Sequence, residues 1–221
     1  MSLTETARMT EVEAVNRVLR ATGRSPVIDS LSDPLSLPVK QAIEVIYENS
    51  REIQLNGWSF NIERKYILEG STLPGPGDVG NVYEYNLPTN TLRVYLTSYT
   101  SDWDLIEQEG KLYDRKNHTF NFSDILQDIE VDIVFFRPWD NLPEYAKVFI
   151  VSKAARRYQQ QILGDKKKDT FLKEQETRAE EFFLRAETNT QGYNIFNNPR
   201  AVPGAYRNWS YRTPNFIGGS F

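Results

Sequence analysis

The sequence predicts an α+β fold: a four-helix bundle with an inserted, mostly antiparallel β module and an extended C-terminal arm. Three observations predict it. Apolar residues recur at helical spacing from Val12 to Ile53 and again from Tyr145 to Ala186. Between these stretches, short runs rich in tyrosine, valine and threonine alternate with glycine, proline and asparagine turns, the pattern of short strands. Finally, the last 27 residues, 195–221, hold no acid and keep no period, because Pro199, Pro203 and Pro214 interrupt them together with Gly204, Gly218 and Gly219.

The first helix starts at a T-x-x-E capping box, Thr10 with Glu13, in which each side chain satisfies a free backbone N–H of the first turn. Val12, Val15 and Leu19 share its inner face, and Gly23 offers the left-handed stop. A loop with Pro26 and Pro34 leads to Pro38, well placed in the first turn of a second helix. Val39, Ala42, Ile43, Ile46, Ser50 and Ile53 form that helix's inner stripe, and Asn56-Gly57 ends it. From Trp58 the period changes. Strands are expected around Tyr66–Leu68, Val82–Tyr85, Leu92–Leu96, Trp103–Ile106, Lys111–Tyr113 and Ile129–Phe136, in one small sheet. The segment Leu73 to Asp78, with Gly75 and Gly77, reads as a connector.

Helical spacing returns at Asn141-Leu142-Pro143-Glu144, read as a cap with an acid three residues on. Tyr145, Val148, Val151, Ala155, Tyr158 and Ile162 line one face of this third helix. The run Val148–Val151 is apolar all round, so it is expected to be the most buried of the four. Gly164 stops it. A fourth helix follows with the stripe Phe171, Leu172, Gln175, Ala179, Phe182, Phe183 and Ala186. Glu174 with Arg178 and Glu181 with Arg185 stand at i,i+4 on its solvent side. The expected organisation is a helical domain of residues 1–61 and 137–194, an inserted β domain of residues 62–136, and a docking arm of residues 195–221.

The arm is the most informative stretch for function. It carries three arginines (Arg200, Arg207, Arg212) and six aromatics (Phe196, Tyr206, Trp209, Tyr211, Phe216, Phe221). The chain's 26 basic residues less those three leave 23 against 30 acids, a formal −7 on the body. A merely solubilising tail is polar and poor in aromatics. Aromatic and arginine side chains are instead the ones concentrated at interface hot spots. The residues read as partner-binding are Tyr206, Arg207, Trp209, Tyr211, Arg212 and Phe216.

Composition narrows the chemistry. The 221 residues, 39% apolar and 25% charged, describe a globular chain with ample material for a core. No apolar run reaches the roughly 20 residues of a membrane span. Met1 to Thr10 lacks the apolar stretch of a signal peptide. With no cysteine there is neither a disulfide nor a thiolate nucleophile, and this fits a reducing cytoplasm as the place of assembly. His118, the one histidine, sits in a polar turn and reads as an exposed loop residue. No G-x-S-x-G elbow, phosphate loop or calcium-loop spacing is present. The residues point to no cofactor and no metal. Two acidic clusters, Asp102, Asp104, Glu107 and Glu109, and Asp124, Asp128, Glu130 and Asp132, contain pairs of the kind that hydrolyse glycosides when roughly 5–9 Å apart. Acid-rich strands and turns are more often solvated surface. Lys166-Lys167-Lys168 reads as a solvated helix start, and the net charge of −4 argues against a duplex-binding surface.

Four segments together resemble the tubular tail protein A family of short-tailed phages, the head-to-tail adaptors. They are Glu13-Ala14-Val15-Asn16 through Leu19 and Gly23 to Ser25-Pro26-Val27; Gln54-Leu55-Asn56-Gly57-Trp58-Ser59-Phe60-Asn61-Ile62-Glu63; Leu142-Pro143-Glu144 with Phe149-Ile150-Val151-Ser152-Lys153-Ala154-Ala155-Arg156; and Gly192-Tyr193-Asn194. The resemblance implies a structural protein of the virion tail, assembled in the host cytoplasm into a ring, typically of twelve copies. That ring stands between the portal protein and tubular tail protein B, the nozzle, and viral DNA passes through its bore. The helical part and arm would face the portal. The β part would face the nozzle, with Gly75, Gly77, Asp78 and Trp103 as contacts. Two other readings compete with it. One is a glycan or peptidoglycan hydrolase using Asp104 and Glu107, and the other a DNA-binding packaging chaperone.

Overall fold

The computed structural model describes residues 8–23, 30–31, 35–73, 82–96, 104–123 and 128–190. The fold is α+β. In chain order it has α1 (Glu11–Ala21), α2 (Leu37–Gln54), β1 (Ile62–Glu69), β2 (Ser71–Leu73), β3 (Val82–Glu84), β4 (Thr91–Leu96), β5 (Leu105–Gln108), β6 (Lys111–Asp114), β7 (Phe122–Ser123), β8 (Asp128–Phe135), α3 (Glu144–Ile162) and α4 (Lys166–Thr190).

The capping box forms as expected. The Thr10 hydroxyl accepts from the Glu13 N–H at 3.2 Å, and the Glu13 carboxylate accepts from the Thr10 N–H at 2.9 Å. Gly23 ends α1 with φ +80°, which L side chains rarely adopt. Pro38 lies in the first turn of α2. The cap expected at Asn141 does not form. Asn141 closes a 3-10 turn, Trp139–Asn141, and Pro143 stands at the N-cap of α3 without a side chain able to bond the first turn. Glu144 turns elsewhere and accepts the Met9 N–H at 2.9 Å. The Met9 carbonyl accepts from Trp139 Nε1 at 3.0 Å and from the buried Lys147 Nζ at 3.1 Å, so the entry to α1 is bolted to the start of α3.

One apolar core takes residues from all four helices, with Met9, Trp139 and Leu142 closing it. α3 lies at its centre and packs on each of the other three helices. Its buried arc is therefore wider than one stripe: Ala146, Phe149, Ile150 and Ala154 join the expected Val151, Ala155 and Tyr158. On α4 the expected stripe is corrected. Ala179, Phe183 and Glu187 are buried, whereas Phe171 and Phe182 are exposed, because α4 has α3 as its main helical neighbour.

Among the described residues the β region is antiparallel throughout and forms three small sheets rather than one, in the orders β1-β8-β4, β2-β3-β7 and β5-β6. The short strands β2 and β7 were not foreseen. β8 is central to its sheet. Ile129, Val131, Ile133 and Phe135, at period two, enter a second apolar core with Leu68, Tyr85, Leu87, Leu112 and Phe122. The β5-β6 hairpin is tied in by Leu87 N–H to the Gly110 carbonyl at 2.8 Å and by Leu112 N–H to the Tyr85 carbonyl at 3.0 Å.

The chain crosses from helices to strands at residues 55–61 and returns at 136–138. Two fully buried amides clamp these crossings together. Gln54 Oε1 accepts the Arg137 N–H at 2.7 Å, and Gln54 Nε2 donates to the Arg137 carbonyl at 3.1 Å. Asn61 Nδ2 donates to the carbonyls of Gln54 and Phe135 at 2.9 and 3.0 Å, and its Oδ1 accepts the Trp58 N–H at 2.6 Å. Asn61→Ala takes away the side-chain partner of the buried Phe135 carbonyl and of the Trp58 N–H, and leaves the Gln54 carbonyl with the Gly57 N–H alone. It is expected to lower the unfolding free energy by about 2–3 kcal/mol in a denaturant titration. A change below about 0.5 kcal/mol, the size of an ordinary surface substitution, contradicts this account of the crossing.

Candidate functional site

The arm residues Tyr206, Arg207, Trp209, Tyr211, Arg212 and Phe216 lie outside the described residues, as do the turn residues Gly75, Gly77, Asp78 and Trp103. The described surface nearest the arm in sequence is α4, a helix of 25 residues with only three buried.

Those three fall at i, i+4 and i+8 and hold α4 along one narrow line. Phe183 meets the rings of Trp58, Phe149 and Tyr145, with centroids 4.6, 5.2 and 5.7 Å away. Glu187, one turn on, is anchored by three donors: Ser59 N–H at 2.9 Å, Ser59 Oγ at 3.0 Å and the Tyr145 hydroxyl at 2.8 Å. Burial, the bond to Glu187 and the nearby carboxylate charge push the Tyr145 hydroxyl up from about 10 to about 12. At the other end of α4, Arg156 of α3 donates to Asp169 at 2.8 Å and to Glu176 at 2.9 Å. The Arg156 bond, then that from Gln160, holds the Asp169 carboxyl below its ordinary value.

The rest of α4 is open. Phe171, Phe182 and Leu184 are 68%, 57% and 45% exposed. Beside Phe171, a cleft of about 440 Å3 runs between α1, α3 and α4. Ala21, Val151, Ala155 and Leu172 contribute apolar lining, and Arg17, Arg20 and Lys168 supply three cations. None of the three has an ion pair among the described residues, whereas Lys153, Arg156 and Arg157 of α3 are all paired. A second, apolar groove of about 230 Å3 lies between α1 and α2, with Tyr47 and Phe136 in edge contact at its wall.

The acidic residues of the two clusters have separate surroundings. Asp104 pairs with Arg115 at 2.6 Å, while Glu107 and Glu109 stand exposed on and after β5. Asp132 accepts the Lys65 N–H at 2.9 Å. The Asp102 and Asp124 positions lie outside the described residues. Asp114 organises the turn that carries His118, accepting from Lys116 N–H at 3.0 Å and Asn117 Nδ2 at 2.6 Å; His118 itself is exposed at φ +53°. Among the described residues no group of three or more His, Cys, Asp or Glu is arranged to hold a metal ion, and no helix is long and apolar enough to cross a membrane.

A family model for tail tubular proteins matches residues 12–193, which takes in α2, α3, α4, all of α1 but its first residue, and both cores but for Met9. The chain belongs to the tail tubular protein family. It is accordingly a structural protein of a viral tail. No curated protein matches the chain. The family match stops short of residues 195–221.

Two features of the α4 surface escaped the sequence reading. The Glu187 anchor joins residues 128 apart, and nothing local marks it. The cationic cleft did leave a trace: Arg17 and Arg20 have no free acid at helical spacing, since Glu13 is taken by the cap and Asn16 is neutral.

The raised Tyr145 value fixes a pH dependence. A group whose folded value lies above its unfolded one contributes stability in full below the unfolded value, near pH 10, and loses that contribution as pH rises through about 12. The difference in unfolding free energy between the native chain and Tyr145→Phe is therefore expected to be constant at neutral pH and to shrink between pH 10 and 12. A difference that stays flat through that window contradicts the Glu187–Tyr145 contact.

Proposed function

We propose that this tail tubular protein is the head-to-tail adaptor, a ring between the portal and the nozzle protein through which the genome leaves the capsid. The observation that carries the reading is the acid-free segment 195–221, with its three arginines and six aromatics. It begins five residues past the end of α4, the helix whose last buried residue, Glu187, is pinned at the junction of the two cores. An arm rooted in a fixed helix can dock into grooves of a neighbouring ring without moving its own body. Trp209 and Tyr211 are the anchors in this reading, with Arg207 and Arg212 as polar clamps.

Three further assignments belong to the same proposal. The helices close as a four-helix bundle on the portal side. Residues 62–136 form the nozzle-facing module, with contacts at Gly75, Gly77, Asp78 and Trp103. About twelve copies close the ring, as the resemblance implies. Head-to-tail contacts that close on themselves are what a ring requires. An acidic body also lets DNA slide, since basic walls would bind phosphate and release its counterions.

The test mixes the chain with its cognate portal, with and without residues 195–221, and follows co-sedimentation. The full chain is expected to sediment with the portal, and the truncated chain to bind at least about tenfold more weakly. Trp209→Ala alone is expected to weaken binding by about 2 kcal/mol or more, as for a hot-spot aromatic. Equal binding of the truncated and full chains overturns the role given to the arm.

A further inference from the structure

We propose that the cationic cleft between α1, α3 and α4 receives the opposite edge of α4 from a second copy of this chain. The inference rests on the ring reading above and names a contact that closes the ring.

The geometry of α4 supplies the argument. At about 100° per residue, Phe171, Gln175 and Phe182 fall along one edge of the helix, and Glu180 and Leu184 fall along the other. The core line Ala179–Phe183–Glu187 runs between them. The first edge is continuous with the cleft, where Phe171 and Gln175 are lining residues. There Val151 and Ala155 lie below, Phe171 forms the lip, and Arg17, Arg20 and Lys168 stand at the rim. The second edge presents Leu184, 45% exposed, flanked by Glu180 and Glu181, neither of which has an ion pair among the described residues.

Cations around an apolar floor on one edge thus face away from carboxylates around an apolar side chain on the other. Two unlike, complementary surfaces on opposite sides of one element cannot satisfy each other within a single copy. They can do so between copies, in a heterologous contact that repeats and closes. Opposite charge at the rim steers and registers such a contact, and the apolar centre holds it. Duplex DNA would use the three cations but not the apolar floor or Phe171, so a protein edge suits the cleft better.

The chain's lack of cysteine makes the test clean. Gln175→Cys and Leu184→Cys are introduced together in the full chain. Within one copy the two positions lie about 13 Å apart along the helix on opposite edges, too far for an internal disulfide. Oxidation of this variant, alone and on its cognate portal, is expected to give a ladder of covalent oligomers. Monomers only, in both preparations, overturn the proposal.

A charge exchange gives a second readout if the cysteine pair impairs folding. Arg17→Glu with Arg20→Glu is expected to weaken self-association in sedimentation at least about tenfold, and adding Glu180→Arg with Glu181→Arg to the same chain is expected to restore it. Unchanged association, no restoration, or a loss of duplex-DNA binding in place of self-association counts against the contact. Portal binding is scored separately. A chain that binds the portal without a ladder sinks this contact and leaves the adaptor reading standing; a chain that forms the ladder but ignores the portal does the reverse.

Discussion

Two buried side-chain amides govern the molecule. Gln54 ends α2 and Asn61 precedes β1, and between them they satisfy both backbone groups of Arg137 and the carbonyl of Phe135, where the chain returns to the helices. Each strand of the crossing is therefore bonded to the other rather than to water. In a dry site such bonds are strong when complete and destabilising when broken, so the two apolar cores are held in one geometry.

The same economy shapes α4. Its attachment is a single line of contacts: a buried aromatic cluster at Phe183, a three-donor anchor at Glu187, and the Arg156 pairs near its start. Packing on one line holds the helix and leaves two edges open. The rings of Phe171 and Phe182 stay exposed, and Arg17, Arg20 and Lys168 of the cleft have no ion pair among the described residues; this is the face to which the contact proposed above is assigned.

The sequence carried the parts of the fold that depend on local physics. The Thr10–Glu13 box, the Gly23 and Gly164 stops, the Pro38 start and the six strand runs expected are all set by residues within a few positions of each other. What it hid depends on distant partners. Asn141 looked like a cap, but the 3-10 turn and Pro143 intervene, and Glu144 is claimed by Met9. Phe171 and Phe182 looked like core because an apolar stripe cannot say how many neighbours exist to cover it. The Glu187 anchor was invisible for the same reason, since a carboxylate on an exposed-looking helix becomes buried only when Ser59 and Tyr145 arrive. The arm proposed to dock is read from composition alone and lies outside the described residues, while the cationic cleft emerged only once three helices were placed side by side.

The adaptor role is tested most directly by imaging intact tails at a resolution that traces side chains. The account places this chain in a closed ring touching the portal, with Trp209 and Tyr211 seated in the portal's grooves and the β8 sheet turned away towards the nozzle. Finding the chain at the far end of the tube, or finding residues 195–221 folded back on their own subunit, would contradict it.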